Sequence, residues 1–461
     1  MSDPVDTICA LSTPPGRSGI AVVRLSGATA CSIWQKIGTE KGLGTVPPEP
    51  RRAFLSRLID PQSGEEIDEA LVTCFKSPHS YTGEDLVEFS LHGNPALVAA
   101  LINTLCRLGA RLAEPGEFTM RAFLHGRMDL AQAEAVHDII EARTIYQAQV
   151  ASRQRDGALA RELQPVKNRL IDTIVDLESA VEFAEENLPE ASHQVIFDTL
   201  RDISLKLESW IQSFRKGRVI REGLVLAIVG APNAGKSSLF NALLGRERSI
   251  VTDVSGTTRD LVADEVAIGG IPVRLEDTAG LRTDGDVIEK LGMERSRHAI
   301  AEADAILLVV DVSRNLTQAD FQLRNQLATS SGIVILNKSD LPSHITETEK
   351  RTFAGTWPYV DAAAKTGAGI EELRTLILKQ IFGDGKVDRD GLLITNLRHC
   401  QALERALDHL RHGCEALEKG LSEEFALSDL RQTLDFLGEI TGETSTEDLL
   451  GQIFSRFCIG K

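Results

Sequence analysis

The stretch Leu224–Ser238, LVLAIVGAPNAGKSS, decides the fold of the middle of this chain. Its apolar run of β-formers, Leu224 to Val229, reads as a buried strand that ends in Gly230. From there the residues fit the spacing G-x-x-x-x-G-K-[ST] at Gly230, Gly235, Lys236 and Ser237, and a helical segment, SSLFNALLG, follows. Strand, glycine turn and helix in that order build a cradle for phosphate. Glycines let successive backbone N–H groups turn inward, the helix N-terminus adds a partial positive charge, and Lys236 is a point charge for the outer phosphates. Ser237 offers a hydroxyl to Mg²⁺. Asn233, Ala234, Gly235, Lys236, Ser237 and Ser238 are therefore the expected phosphate contacts.

Later segments narrow the nucleotide. Asp277-Thr278-Ala279-Gly280 follows the apolar strand IPVRLE; its carboxylate can hold Mg²⁺ through water and its glycine amide can sense a γ-phosphate. Asn337-Lys338-Ser339-Asp340 ends the strand GIVIL. Asp340 can accept two hydrogen bonds from the N1–H and 2-amino group of guanine. Adenine cannot supply them, and an unpaired buried carboxylate is costly. Ala363-Ala364-Lys365 ends the last strand and can offer a backbone amide to guanine O6. Between loop and second strand lies Gly256-Thr257-Thr258-Arg259-Asp260, with a threonine hydroxyl for Mg²⁺. In this order the segments resemble the GTPase signature, and they predict a guanine-nucleotide switch.

At 461 residues the chain should hold about two to four domains. Its 42% apolar and 25% charged content is that of an ordinary globular protein. MSDPVDT has no basic region followed by an apolar run, and LVLAIV and AILLVV are far too short to span a bilayer, so a cytoplasmic location is expected. Seven scattered cysteines, without a C-x-x-C pair, argue against a disulfide framework or a zinc site and for small buried apolar residues. A net charge of −17 argues against broad nonspecific nucleic-acid binding. It leaves room for a structured RNA met by a local basic patch, for which ARELQPVKNR and SFRKGRVIR are candidates; the alternative for both is a solvated charged face.

Residues 1–120 read as a mixed α/β domain. Strand-like runs (DTICALS, GIAVVRLSG, EALVTCFK, DLVEFSLHG) alternate with turns and one helix, PALVAALINTLCRLGA. Polar residues gather at strand ends: Arg24, Tyr81 to Asp85, Glu88, and His92 to Asn94. They mark either a pocket or interface, or ordinary turns with capping residues. Residues 121–218 turn helical, with Leu163, Val166, Leu170, Ile174, Leu177 and Val181 spaced by threes and fours as a buried seam. The pattern stops at the Arg/Lys/Gly stretch 215–223. The nucleotide domain occupies 219–383, about the length of one α/β unit, and GDGKVDRDG ends it. Helical periodicity returns in 384–461 at Leu403, Leu407, Leu410, Cys414, Leu417 and Leu421, so the nucleotide domain is inserted into a helical one. The terminal FCIGK is no prenylation signal, since Gly460 is not aliphatic and Lys461 is not a usual last residue. It is either a frayed tail or one docked in a pocket that brings the Cys458 thiol with it.

Over essentially its full length the chain resembles the MnmE (TrmE) family of tRNA-modification GTPases. The resemblance rests on TPPGRSGIAVVRLSG, TGEDLVEFSLHGN, PGEFTMRAFLHGRMDLAQAEAVHDII, the inserted Ras-like P-loop domain and the final FCIGK. It implies a homodimer that works with the flavoprotein MnmG on tRNA. Together they install an aminomethyl or carboxymethylaminomethyl group at C5 of the wobble uridine, with a tetrahydrofolate of the 5,10-methylene type as one-carbon source. It implies that the N-terminal domain binds this folate and dimerises. Arg24, Glu88, Arg127 and Lys461 match the family's folate-contacting places, with Arg127 standing where many relatives have lysine, and Cys458 matches its terminal cysteine.

Ras-like switches orient the attacking water with a glutamine after the D-x-x-G glycine; here that position is Leu281, which cannot do so. The resemblance implies a K⁺ ion instead, held by Asn233 and by backbone oxygens near Thr252, Val254 and Thr257 where two GTPase domains meet, with Mg²⁺ on Ser237 and Thr258. Thr252 also falls among the GTP contacts, and Glu289 matches the family's general base or water-orienting carboxylate beside the catalytic Lys236. From its residues alone Glu289 reads as a solvated helix charge. Two other functions fit the nucleotide motifs: a regulatory or assembly GTPase on ribosomal RNA, and a one-carbon transferase timed by GTP.

Overall fold

A computed structural model describes residues 6–39, 49–182, 190–245, 265–277, 300–383 and 393–460. Two compact units emerge: Met1–His137 with Arg153–Asp172 and Arg431–Lys461, and Asp138–Ser152 with Thr173–Leu430.

The first unit is built on a seven-stranded sheet, in the order β3-β4-β5-β6-β2-β1-β7. Its strands are β1 (Thr7–Leu11), β2 (Ser18–Ser26), β3 (Gly38–Thr39), β4 (Ala53–Ile59), β5 (Glu66–Phe75), β6 (Leu86–Gly93) and β7 (Ala110–Leu112). All neighbours are antiparallel except β1 and β7. The alternation in AVVRLS sends Val23 and Leu25 to one face, under helices α1 (Ala30–Ile37) and α2 (Pro95–Arg107). Helix α2 starts where the sequence marks it: Pro95 sits at its first turn and the Asn94 side chain accepts from Ala96 N. Ile8 and Ala10 face the other way, onto Phe118 of α3 (Glu117–Leu124).

Helices α4 (Leu130–Glu141), α5 (Ile145–Arg155), α6 (Ala158–Glu182) and α7 (Glu190–Glu222) follow. The expected seam is real: Leu163, Val166, Leu170, Ile174 and Leu177 are buried, and Val181 is half-buried. The expected break at 215–223 is later than the sequence indicates. Helix α7 runs unbroken to Glu222 and ends at Gly223, whose φ of 91° is left-handed. Two of the basic residues before it are held in ion pairs, Arg218 with Asp304 at 2.6 Å and Arg221 with Asp138 at 2.8 Å. Lys167, in the other candidate basic patch, is buried against Glu443.

The second unit carries a six-stranded sheet, β13-β12-β11-β8-β10-β9, made of β8 (Leu224–Gly230), β9 (Glu265–Ile268), β10 (Ile271–Asp277), β11 (Ala305–Asp311), β12 (Gly332–Asn337) and β13 (Tyr359–Asp361). Only β9–β10 is antiparallel. Its strands read as continuous apolar runs because both faces are covered. One core layer holds Leu239 and Leu243 of α8 (Lys236–Leu244) with Leu373 and Ile377 of α11 (Ile370–Phe382). The other holds Leu323 of α9 (Gln318–Gln326) with Phe353 and Ala354 of α10 (Glu347–Ala354).

Tyr146 of α5 also lies in the first of these layers. The corner before it grips the β9–β10 hairpin. Arg143 pairs with Glu265, Thr144 Oγ1 donates to Gly270 O at 2.6 Å, and Tyr146 packs so close that a Cβ on Gly270 would lie 2.9 Å from it. Gln147 Nε2 donates to Ile220 O and Arg221 O, both at 2.9 Å, closing the end of α7.

Helices α12 (Leu397–Glu418), α13 (Glu423–Thr441) and α14 (Glu447–Phe454) complete the chain. Leu403, Leu407 and Leu410 are buried as the periodicity predicts, and Cys414 and Leu417 are half-buried. Leu421 departs from the pattern. The helix has ended before it, Gly420 takes a φ of 64°, and Leu421 lies 50% exposed in the turn.

Candidate functional site

Strand β8 is where the order of the six-stranded sheet reverses, with β10 on one side and β11 on the other. Ligands of open α/β sheets bind at the carboxyl ends of the strands beside such a point, and the glycine loop starts there. Gly230 is obligatory by contact: a Cβ would lie 2.4 Å from Val309 O. Gly235 is obligatory twice over, with φ 97° and a would-be Cβ 2.1 Å from the Asn337 amide nitrogen. Asn233, exposed at the loop crest, holds a left-handed φ of 62°, which asparagine tolerates better than most residues. Lys236 is buried and folds back over the loop, with Nζ donating to Gly230 O at 2.8 Å and Ala231 O at 2.9 Å. Ser237 and Ser238 are exposed in the first turn of α8, and Ala234 is buried.

Asn337 is the joint of the site. It ends β12, is buried, donates from Nδ2 to Ala234 O at 2.8 Å and accepts at Oδ1 from Ala364 N at 3.1 Å. One amide side chain thus ties the phosphate loop to the loop after β13. Lys338 takes a φ of 66° and its Nζ lies 2.5 Å from Asp311 Oδ2. Burial pushes the Asp311 carboxyl up, but hydrogen bonds from Lys338 and Ser313 outweigh it and hold it below the usual carboxylate range. Asp311 was not legible as a site residue; its one signal is an acidic residue closing the apolar run AILLVV. Asp340 is exposed and bonds no described residue, so both its oxygens remain available to a base. The Ala363 amide bonds Ala368 O at 2.9 Å and that of Ala364 bonds Asn337, which leaves the Lys365 amide for a ligand acceptor. Asp277 ends β10 in register with Ile228, at the same sheet edge. Thr252, Val254, Thr257, Thr258, Thr278, Ala279, Gly280, Leu281 and Glu289 lie outside the described residues.

In the first unit Arg24 and Glu88 stand opposite each other on β2 and β6, with Nε 2.8 Å from Oε1. The Arg24 guanidinium lies 5.5 Å from the centre of the Tyr81 ring. Burial raises the Tyr81 pKa, and its hydroxyl pairs with Thr119 at 2.9 Å. Arg127 is exposed beside Gly83, whose neighbour Thr82 is fastened through its carbonyl to His125 Nδ1 at 2.9 Å. The terminal segment is docked, not frayed. Ile459 bridges to Pro115, Gly116 N donates to Cys458 O at 3.3 Å, and Ser12 Oγ donates to Gly460 O at 2.9 Å. Gly460 fits because its φ is 94° and a Cβ would strike Leu11 O at 2.2 Å. Phe457 anchors the tail, buried against Phe454 and 5.0 Å from the His137 ring. The Cys458 thiol is exposed; Lys461 lies outside the described residues.

Sequence reasoning missed the charge cluster beneath this end of the sheet. Glu117 and Arg121, both buried, pair at 2.9 Å; Arg111 meets Glu117 at 2.6 Å and Asp6 at 2.5 Å, and Arg121 reaches Glu84 at 3.1 Å and Asp6. The only hint was the i,i+4 pair in EFTMR. Glu84 also accepts from Ser26 Oγ at 2.8 Å, so the cluster fixes the loop that carries Tyr81.

Known sequences agree with both ends of this description. The family described as "GTP-binding protein TrmE N-terminus" matches residues 7–127, and "MnmE helical domain" matches residues 130–458. The chain is 44% identical to the tRNA modification GTPase MnmE of Koribacter versatilis, covering 99% of both chains. It is 42% identical to that of Thermoanaerobacter pseudethanolicus over 99% of both, and 43% identical to that of Aquifex aeolicus over 99% of this chain and 100% of the other. Matches of this length and identity, with the nucleotide cradle and docked tail described above, place the chain: it belongs to the MnmE family of tRNA modification GTPases.

Proposed function

We propose that this protein hydrolyses GTP, with Mg²⁺ and stimulated by K⁺, and that this drives installation of an aminomethyl or carboxymethylaminomethyl group at C5 of the tRNA wobble uridine. GTP hydrolysis in tRNA modification follows from the family. The observation that carries the nucleotide reading is the convergence of Gly230, Lys236, Asn337 and Asp340 at one edge of the sheet, stapled by the Asn337 side chain.

The chain's own groups have distinct tasks. Loop amides and Lys236, which gives up its bonds to Gly230 O and Ala231 O, hold the outer phosphates. Asp340 and the Lys365 amide read guanine. Ser237, with Thr258, would hold Mg²⁺, which neutralises phosphate charge. Leu281 leaves the water-orienting role to Glu289. Asn233, exposed and left-handed at the loop crest, carries an amide oxygen, the donor type a hard cation takes. There, with backbone oxygens near Thr252, Val254 and Thr257, K⁺ would supply the charge an arginine finger supplies elsewhere. The site forms when two copies meet, so a homodimer is part of this reading.

In the first unit the Arg24–Glu88 pair, the Tyr81 ring and Arg127 fit a flat heterocycle with adjacent N–H donors and an anionic tail. Glu88 Oε2 has no partner among the described residues and can accept from such a ring. A tetrahydrofolate derivative bound there supplies the one-carbon unit. Lys461 completes the anion contact, and the docked tail holds the Cys458 thiol at this domain. The MnmG flavoprotein is the partner, tRNA the substrate and the cytoplasm the location; among the described residues no helix is long and apolar enough to cross a membrane.

GTP turnover by the full chain in K⁺ against equimolar Na⁺ tests the nucleotide half. Strong K⁺ stimulation that disappears in Asn233→Ala is the expected result. Equal rates in both salts would overturn the ion-bridged mechanism and favour the ribosome-assembly reading. Coupling is tested by crosslinking the inserted domain: unchanged tRNA modification under that lock would refute it.

A further inference from the structure

One cluster of metal-ligating side chains in the second unit is used by none of the chemistry above. His409 and His412 stand three residues apart on α12 and therefore on one helix face. Asp429 meets them from α13. The ligand atoms of all three lie within 4.8 Å of one another. His409 Nδ1 and Asp429 Oδ1 are already 2.7 Å apart, and the two imidazole rings are centred 6.1 Å apart and nearly perpendicular.

We propose that His409, His412 and Asp429 form a chelating site for a divalent transition-metal ion of the Zn²⁺ class. Two imidazoles and a carboxylate are a donor set that suits zinc and its neighbours and not Mg²⁺, which takes oxygen ligands and keeps its waters. A tetrahedral ion with arms of about 2.0–2.2 Å sets its ligand atoms about 3.4 Å apart. One pair is now closer than that, being joined by a hydrogen bond, and the others are within 4.8 Å. Rotation of the exposed His412 ring brings the third donor in. The proton shared by His409 and Asp429 leaves to solvent as the ion takes its place. Water fills the fourth position.

The backbone beneath the cluster is fixed, so the donors are presented by a rigid frame. Leu410 and Leu430, one residue from His409 and Asp429, are fully buried. At Gly413 the helices run so close that an added Cβ would lie 3.3 Å from Leu430 Cδ2 and 3.4 Å from Ala426 O. The nearby cations are held by carboxylates of their own, Arg411 by Glu208 at 2.7 Å and Lys419 by Glu415 at 2.9 Å. A bound ion would clamp α12 to α13 just before their connecting turn.

The test is calorimetric titration of ZnCl₂ into the full chain, its purification tag removed, in buffer holding Mg²⁺ and GDP. The expected result is one site whose Kd rises at least tenfold in His412→Ala and in Asp429→Asn. His412 is exposed, so its substitution leaves the fold alone, which unchanged circular dichroism and GTP turnover would confirm. Zinc should also raise the Tm of the wild-type protein and not that of His412→Ala. No binding, or the same isotherm in wild type and His412→Ala, would overturn the proposal and place any zinc uptake elsewhere, such as the cysteines.

Discussion

The nucleotide edge of the six-stranded sheet and the tail-bearing end of the seven-stranded sheet are assembled in opposite ways. At the first, each functional loop is a contiguous run at the end of its own strand, and the fold only has to bring strand ends together. Asn337, the joint between two loops, lies inside one of those runs. At the second, the contacts that define the site join residues far apart in the chain: Ser12 with Gly460 and Gly116 with Cys458 across hundreds of positions, and Arg24 with Glu88 across 64. Loop chemistry is local in sequence and docking chemistry is not. The first kind of site should fail through catalysis and affinity, the second through stability.

The largest effect belongs to the second kind. Arg121 is buried among Glu117, Glu84 and Asp6. Arg121→Ala leaves buried carboxylates short of a partner and should cost ~3–5 kcal/mol, read as loss of the first unit's urea transition with GTP affinity retained. The pH dependence has a defined sign. Burial pushes Glu117 up, but Arg111 and Arg121 win and hold it below its ordinary 4.5. A depressed carboxylate stabilises the fold fully above that ordinary value and loses its contribution as pH falls through the folded one. Acid titration of the wild type should therefore weaken the first unit progressively below about pH 4.5. Loss of GTP binding in Arg121→Ala would break the contrast, because it would make the two sites one cooperative structure.

Lys236→Ala comes next. It removes the point charge from the phosphate loop and should lower GTP turnover by about a hundred- to thousandfold, with the melting of the first unit unchanged. Asp340→Asn follows. It replaces an acceptor by a group that also donates, so GTP should bind about 10–100-fold more weakly while xanthosine triphosphate, whose C2 oxygen can accept, binds better. Equal losses for both nucleotides would remove Asp340 from the base site.

Much of this was readable beforehand, for a physical reason. Burial on both faces of β8, β11 and β12 leaves apolar runs that no polar alternation interrupts, and Gly230 and Gly235 mark where backbone must approach backbone. Asp311 escaped because a strand-ending aspartate has many uses, and its pairing with Lys338 depends on the left-handed turn at that lysine. The Arg111–Arg121 cluster escaped because burial, not residue type, gives it meaning. FCIGK by itself fits a frayed tail or a docked one; what docks it is the fit of Phe457 and Gly460 to surfaces supplied by residues 11–12, 116 and 137, which no local pattern announces. The helix before β8 runs past the expected break because the lysine and arginines of SFRKGRVIR, which resemble a linker, lie in the helix, and two of them are ion-paired there.

The smallest predicted effect is the sharpest check on the contrast, because it puts a docking contact inside the nucleotide-bearing unit. Thr144 Oγ1 donates to Gly270 O across 126 residues, at the turn between the strand that follows residues 252–260 and the strand that ends in Asp277. If the distinction lies in the kind of contact and not in the unit, Thr144→Val should behave like a tail mutation. It should cost about 1 kcal/mol, and leave GTP affinity intact. A double-mutant cycle with Arg143→Ala separates the hydrogen bond from the adjoining Arg143–Glu265 ion pair. A large fall in GTP turnover at unchanged stability would reverse the conclusion: the α4–α5 corner would then act on the chemistry through the hairpin it grips, and distance in sequence would say nothing about which contacts serve catalysis.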